Sequence, residues 1–156
     1  MNVAEQREHV AQVAMSYRGT PYHSHGRRKG IGVDCLTLLA CVFEEAGLIR
    51  EVKIPHYAPD FFKHQGAELY LNGLLEHTEE TDELLPGNII LWKFGRCFSH
   101  AAIIVRWPQV VHAQYGRKVT MENIENAEWL VRMGEKRNEK RPTKIFSYWK
   151  KEHGVS

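Results

Sequence analysis

The chain is poor in cysteine: Cys35, Cys41 and Cys97 are the only three in 156 residues. An odd number without Cys-x-x-Cys spacing excludes a disulfide-built scaffold and a zinc ribbon. Net charge is also scarce. Lys plus Arg total 21 and Asp plus Glu 19, a formal +2, which by itself marks no nucleic-acid-binding surface. No apolar run approaches the ~20 residues of a membrane span. The longest, near Leu36 to Phe43 and Ala101 to Val105, are core-sized. The opening MNVAEQREHVAQVAMSYRG has no basic stretch followed by an apolar one. A secretory signal is therefore not expected, and synthesis in a reducing cytoplasm is. With no repeat and no linker, 43% hydrophobic composition over this length fits one domain spanning 1–156.

What is abundant is histidine, with nine. Their setting depends on the elements around them. Val10, Val13, Ala14 and Tyr17 fall at i, i+3, i+4, i+7 and predict a helix, with Glu5, Arg7, Glu8 and Gln12 mostly off its apolar face. Asn2 and Glu5 can cap its start, and Gly19-Thr20-Pro21 ends it. Residues 22–32, YHSHGRRKGIG, read as a loop holding a basic cluster. Asp34 stands at the N-cap of a second helix, CLTLLACVFEEA, closed by Gly47. That segment is apolar on nearly every side and is expected to be buried. Residues 50–83 read as an irregular or helical insertion: Pro55 and Pro59 bracket irregular chain, 61–75 can hold a helix, and 76–83, with five acids and no base, reads as a solvated loop. After the turn at Leu85-Pro86-Gly87-Asn88, strands are expected over 89–94, 101–105, 110–113 and 118–121, forming an antiparallel meander. A basic segment, 132–151, carries eight bases against two acids, with a last strand over 145–149. The class is α+β, helices segregated from an antiparallel sheet.

Three positions suggest chemistry. Cys35 lies in the first turn of the buried helix, where the helix dipole and free N–H groups favour a thiolate and can bind an oxyanion. Cys41, mid-helix, reads as core. His100 opens one expected strand and His112 lies within the next. They share a face if the intervening loop has three residues or a bulge. A thiol needs an imidazole as base, and the imidazole needs an orienting partner. Tyr22 could donate to an oxyanion. The plain alternatives are a buried apolar cysteine, structural histidines and a packed tyrosine.

These residues carry a resemblance. GTPYHSHGRRKGIGVDC with LTLLACVFEEAGL resembles the nucleophile segment of the NlpC-type cell-wall cysteine peptidases. LLPGNIILWKFGRCFSHAAIIV resembles their Pro-Gly-Asp, strand, Ser-His, strand block, and VVHAQYGRKVTMENI their third catalytic strand. The blocks fall in family order across residues 10–125. The resemblance implies a papain-like fold and hydrolysis of an amide bond in peptidoglycan stem peptides. It makes Cys35 the nucleophile, His100 the general base and His112 its orienting residue. It places Tyr22, Asp34 and Ser99 at the oxyanion and substrate site; His23 and His25, in the loop before the cysteine, either border the cleft or are solvent-exposed. It implies no cofactor and no metal. The short chain, the GTPYH opening and PDFFKHQGAELYL are most similar to the phage-tail and gene-transfer-agent branch. This implies tail proteins as partners and delivery to the wall on a particle, with no membrane span and no nucleic acid. Two departures stand out: Leu36-Thr37 replaces the family's Ser-Gly after the cysteine, and Asn88 replaces the Asp of Pro-Gly-Asp.

Other readings compete. Cys35, His23, His25, His100 and His112 have the donor types of a zinc site, though without tight helical spacing. The fold could also serve as an inactive tail or assembly protein. A permuted lipid acyltransferase would place its histidine before its cysteine, against the order here. The basic segment 132–151 reads as a solvated edge or as a contact for anionic wall polymer.

Overall fold

The computed structural model describes residues 1–51 and 66–153. Helix α1 spans Val3–Ser16, and the Asn2 side chain caps it by accepting from the Glu5 N–H. Its Val10, Ala11, Val13 and Ala14 are buried, as the spacing predicts. A tight hairpin follows, β1 Arg27–Arg28 against β2 Gly32–Val33. Helix α2, Cys35–Glu45, is buried along nine consecutive positions from Cys35 to Phe43. Helix α3 is Gly66–Leu75. The helix expected over 61–75 is thus seen from Gly66; Pro55, Pro59 and the rest of 52–65 lie outside the described residues.

The remaining chain builds a six-stranded antiparallel sheet ordered β3-β10-β4-β5-β6-β7. Its members are β3 Glu79–Thr81, β4 Ile89–Phe94, β5 Cys97–Arg106, β6 Gln109–His112, β7 Thr120–Asn123 and β10 Thr143–Ser147. The expected meander is strands β4 to β7. Three expectations need correction. Residues 79–81 are not a loop: their backbone pairs with β10, Phe146 opposite Glu80. Edge strands commonly carry charge, which blocks further pairing, so acidity alone did not mark a loop. The strand expected at 118–121 lies two residues later. The last strand ends at Ser147, and Tyr148–Lys150 forms a 3-10 turn. Between β7 and β10 lie a short helix α4, Glu128–Val131, and a hairpin of β8 Arg132–Met133 with β9 Glu139–Lys140.

Strand alternation splits the apolar residues into two layers. Ile89, Leu91, Ala101, Ile103 and Val111 face α1 and α2. Ile90, Trp92, Ala102, Ile104 and Val110 face the other way and are covered by Ile124, Ala127 and Leu130.

Arg7, off the apolar face of α1, ties this helix to the sheet. Its guanidinium donates to the Pro86 carbonyl at 2.9 Å and the Asn88 side-chain oxygen at 2.7 Å, and reaches Ser147 Oγ at 3.3 Å. It also lies 4.3 Å from the centre of the Trp149 ring. Asn88 returns a bond from its amide to the Glu83 carbonyl at 3.0 Å. An aspartate could accept from Arg7 but could not donate to Glu83, so the Asn88 departure serves the turn. Gly87 is required beside it. Its φ is +84°, and an added Cβ would stand 2.6 Å from the Trp149 ring.

Replacing Arg7 by Ala strands the buried Asn88 oxygen and the Pro86 carbonyl. Arg7→Ala is expected to cost about 1–3 kcal/mol, read as a lower urea midpoint at unchanged m-value. An unchanged midpoint would remove Arg7 as the tie between helix and sheet.

Candidate active site

Cys35 is placed by its neighbour. Asp34 accepts from Leu36 N at 3.0 Å and Thr37 N at 2.8 Å, while the Asp34 N–H donates to Thr37 Oγ1 at 2.8 Å. This reciprocal cap fixes the start of α2 and puts Cys35 at its first position. The other Asp34 oxygen accepts from the His25 N–H at 2.9 Å, binding the preceding loop to the same anchor. Leu36 is buried in the core.

That loop carries Tyr22. Tyr22 N donates to the Arg117 carbonyl at 3.0 Å, and its residue bridges to Val33. The loop crosses itself closely: a Cβ at Gly32 would lie 2.6 Å from that of His23. Its basic cluster is largely paired off, Arg27 with Glu44 at 2.8 Å and Lys29 with Glu45 at 2.9 Å, both acids in the last turn of α2. Tyr22 is half-buried. Burial, with the Cys35 sulfur and Asp34 as lesser causes, pushes its phenol well above the ordinary range. Tyr22 therefore remains a protonated donor near Cys35. The exposed Tyr115 meets it edge-on at 5.4 Å between centroids.

His100 and His112 come together. His100 Nε2 and His112 Nδ1 lie 2.8 Å apart. The register supplies the required condition: β5 and β6 pair Ile104 with Val110, and an irregularity between Ile104 and Arg106 absorbs one residue. Trp129 from α4 stacks on His112 at 6.2 Å and 19°, and stands edge-on to His100 at 6.2 Å. Arg141 holds α4 in place by donating to the carbonyls of Leu130 and Trp129, and to that of Lys93 on β4. A further residue, absent from the sequence reading, completes the chain. His112 Nε2 lies 2.6 Å from a carboxylate oxygen of Glu122. Glu122 lies in β7 opposite Val110, on the face that His112 shares. With β7 read two residues early, Glu122 fell outside it; the alternation of a longer strand would have found it.

The other expected residues distribute as follows. Cys35 Sγ donates to the Ser99 carbonyl at 3.6 Å, so Ser99 meets the thiol through its backbone. Among the described residues, the thiol's hydrogen bond goes to Ser99 and not to His100. The thiol belongs to the layer between helices and sheet, whereas the imidazoles pack with Trp92, Phe94 and Trp129 of the other face. Both reach the same end of β5. His23 is exposed and bonded to the Ser24 carbonyl at 3.0 Å, and His25 reaches Asp34 through its backbone. Among the described residues, no three His, Cys, Asp or Glu side chains are grouped so as to hold a metal ion. The imidazole nitrogens of His100 and His112 face each other at hydrogen-bond distance, with no room for an ion between them.

At rest, burial works against the thiolate that the helix N-terminus favours. Burial, reinforced by Asp34, pushes the Cys35 thiol up to about 12, against the opposing pull of the Ala101, Cys35 and Leu36 N–H groups. Burial holds His100 down at about 3, with His112 adding to the effect. His112 is lowered by burial, which Glu122 opposes. The resting site is therefore a neutral thiol beside neutral imidazoles.

The NlpC/P60 family profile matches residues 19–138. The chain belongs to the NlpC/P60 family. Its fold is papain-like α+β, and solved structures of family members superpose on it. One is the NlpC/p60 domain of the peptidoglycan hydrolase SagA, at 18% identity and TM-score 0.54, covering 89% of this chain and 97% of that one. NlpC2 from Trichomonas vaginalis matches at 14% identity and TM-score 0.60, covering 94% of this chain and 50% of that one. A lipoprotein-like NLP/P60 protein from Staphylococcus aureus matches at 20% identity and TM-score 0.54, covering 83% and 39%. No curated protein sequence matches.

Two measurements follow from these shifts. The ordinary histidine value is 6.5, so between 6.5 and about 3 the unfolded chain binds a proton at His100 and the native chain does not. The stability His100 contributes is then complete above about 6.5 and is lost as pH falls toward 3. Denaturant titrations of His100→Asn should give a shallower loss across that window; an unchanged slope would contradict the depressed value. Peptide mapping after iodoacetamide treatment at about pH 8 should show Cys35 alkylated more slowly than a free thiol. Faster alkylation would restore the preformed thiolate.

Proposed function

We propose that this chain is a cysteine hydrolase that cleaves an amide bond in peptidoglycan stem peptides. The observation that carries this reading is the His100–His112 pair, hydrogen-bonded at 2.8 Å, at the strand end where Cys35 Sγ meets the Ser99 carbonyl. Family membership and the fold it shares with a peptidoglycan hydrolase domain support the substrate class.

His100 Nε2 is engaged by His112, so Nδ1 is the ring nitrogen that takes the thiol proton once Sγ comes within its reach. Sγ leaves the Ser99 carbonyl and attacks the substrate carbonyl carbon, forming a C–S bond. The Cys35 N–H, which has no backbone partner among the described residues, and the Tyr22 hydroxyl donate to the oxyanion. The C–N bond breaks, and the amine leaves with the proton from His100. Water, deprotonated by His100, then releases the thioester. Because thiol and base start neutral, proton transfer accompanies attack and does not precede it.

Delivery to the wall on a phage tail or similar particle belongs to the same proposal and rests on the sequence resemblance. Tail proteins are the partners it implies.

The test is incubation with purified muropeptides, products read by mass spectrometry. Wild type should cleave a stem-peptide amide, keep activity in EDTA and lose it to iodoacetamide. Cys35→Ala should lose about 10³-fold or more. No cleavage across a panel of muropeptides would favour a non-catalytic role for the fold.

A further inference from the structure

We propose that Glu122 is the positioning residue that decides which nitrogen of His100 acts as the base. The inference rests on the proposed function but begins from hydrogen-bond logic alone. A carboxylate oxygen can only accept. At 2.6 Å from it, His112 Nε2 must carry the proton. A neutral imidazole has one N–H, so His112 Nδ1 holds a lone pair. His100 Nε2, 2.8 Å away, must then donate. That leaves the lone pair of His100 on Nδ1, the nitrogen available to the thiol.

Without the carboxylate the chain can run backwards. His112 Nδ1–H would donate to His100 Nε2, and the His100 proton would move to Nδ1. The ring would then offer Cys35 a donor in place of a base. His112 alone cannot choose between the two arrangements, because it serves either equally well. Choosing requires a group that cannot donate, and Glu122 meets that requirement.

Glu122 has a second effect during the reaction. When the S–H bond breaks and N–H forms at His100 Nδ1, the ring becomes cationic. Its Nε2 proton lies on the bond to His112 Nδ1, and full transfer there leaves His100 neutral and His112 cationic, against the carboxylate. No proton is gained or lost in the passage. The pair is shielded for this purpose: the His112 side chain is fully buried beside Trp129, while Glu122 keeps 26% exposure.

The experiment uses the full chain with ¹⁵N-labelled histidine. Two-bond ring correlation spectra near neutral pH should show both His100 and His112 protonated at Nε2 and bare at Nδ1. Glu122→Gln keeps the shape but introduces a group that can donate. It should let His112 populate the Nδ1–H form and lower kcat on muropeptides by up to about 10⁴-fold, the loss when a catalytic histidine takes the wrong tautomer, with KM little changed. A wild-type spectrum with His112 protonated at Nδ1 would overturn the proposal. So would a Glu122→Gln variant with wild-type ring pattern and kcat. If wild type cleaves no muropeptide while the ring patterns behave as described, the assigned hydrolysis falls and the role of Glu122 in fixing the tautomer stands.

Discussion

The N–H groups of His25, Leu36 and Thr37 converge on the carboxylate of Asp34, and the rest of the site depends on that convergence. It starts helix α2 at the cysteine and orients the first-turn N–H groups. It also holds the preceding loop, and with it Tyr22, against the helix. The loop's basic side chains repeat the attachment at the far end of α2 through Glu44 and Glu45. Loop and helix therefore act as one unit, with Asp34 as a buried anion at its centre. The same anion disfavours a second negative charge on the adjacent sulfur.

That conflict sets the character of the chemistry. A helix N-terminus favours a thiolate, and several N–H groups surround Sγ. Burial and Asp34 outweigh them. In the proposed mechanism, reactivity is not stored as a resting ion pair and is generated by the histidine chain when substrate arrives. In that mechanism the burden moves from the helix to the sheet, where imidazole protonation is governed by hydrogen bonding within a buried layer under Trp129.

Sequence made the framework legible. The N-cap at Asp34, the buried run after it and the position of Cys35 follow from local capping and from an apolar pattern that leaves no polar face. The meeting of His100 and His112 was readable as a condition on register, which an irregularity near Arg106 satisfies. Other features were hidden because strand ends and edge pairing are set by long-range partners. Glu122 fell outside a strand read two residues early. Glu79 to Thr81 looked like solvated chain because an edge strand needs no apolar face. Arg7 looked like a surface residue because its partners, Pro86, Asn88 and Ser147, lie some 80 to 140 positions away in sequence. The burial that opposes a thiolate at Cys35 depends on packing, and periodicity does not report packing.

Among the described residues, strand β7 is an edge, paired in the sheet with β6 alone. Edges open at lower free energy than the centre of a sheet. A fluctuation that lifts Thr120–Asn123 would carry Glu122 away from His112 while both apolar layers stay closed. In the proposed mechanism, catalytic competence and global folding are thereby separated. Warming is expected to silence the chemistry at a temperature where the helices and central strands remain intact, and cooling to restore it without a refolding step.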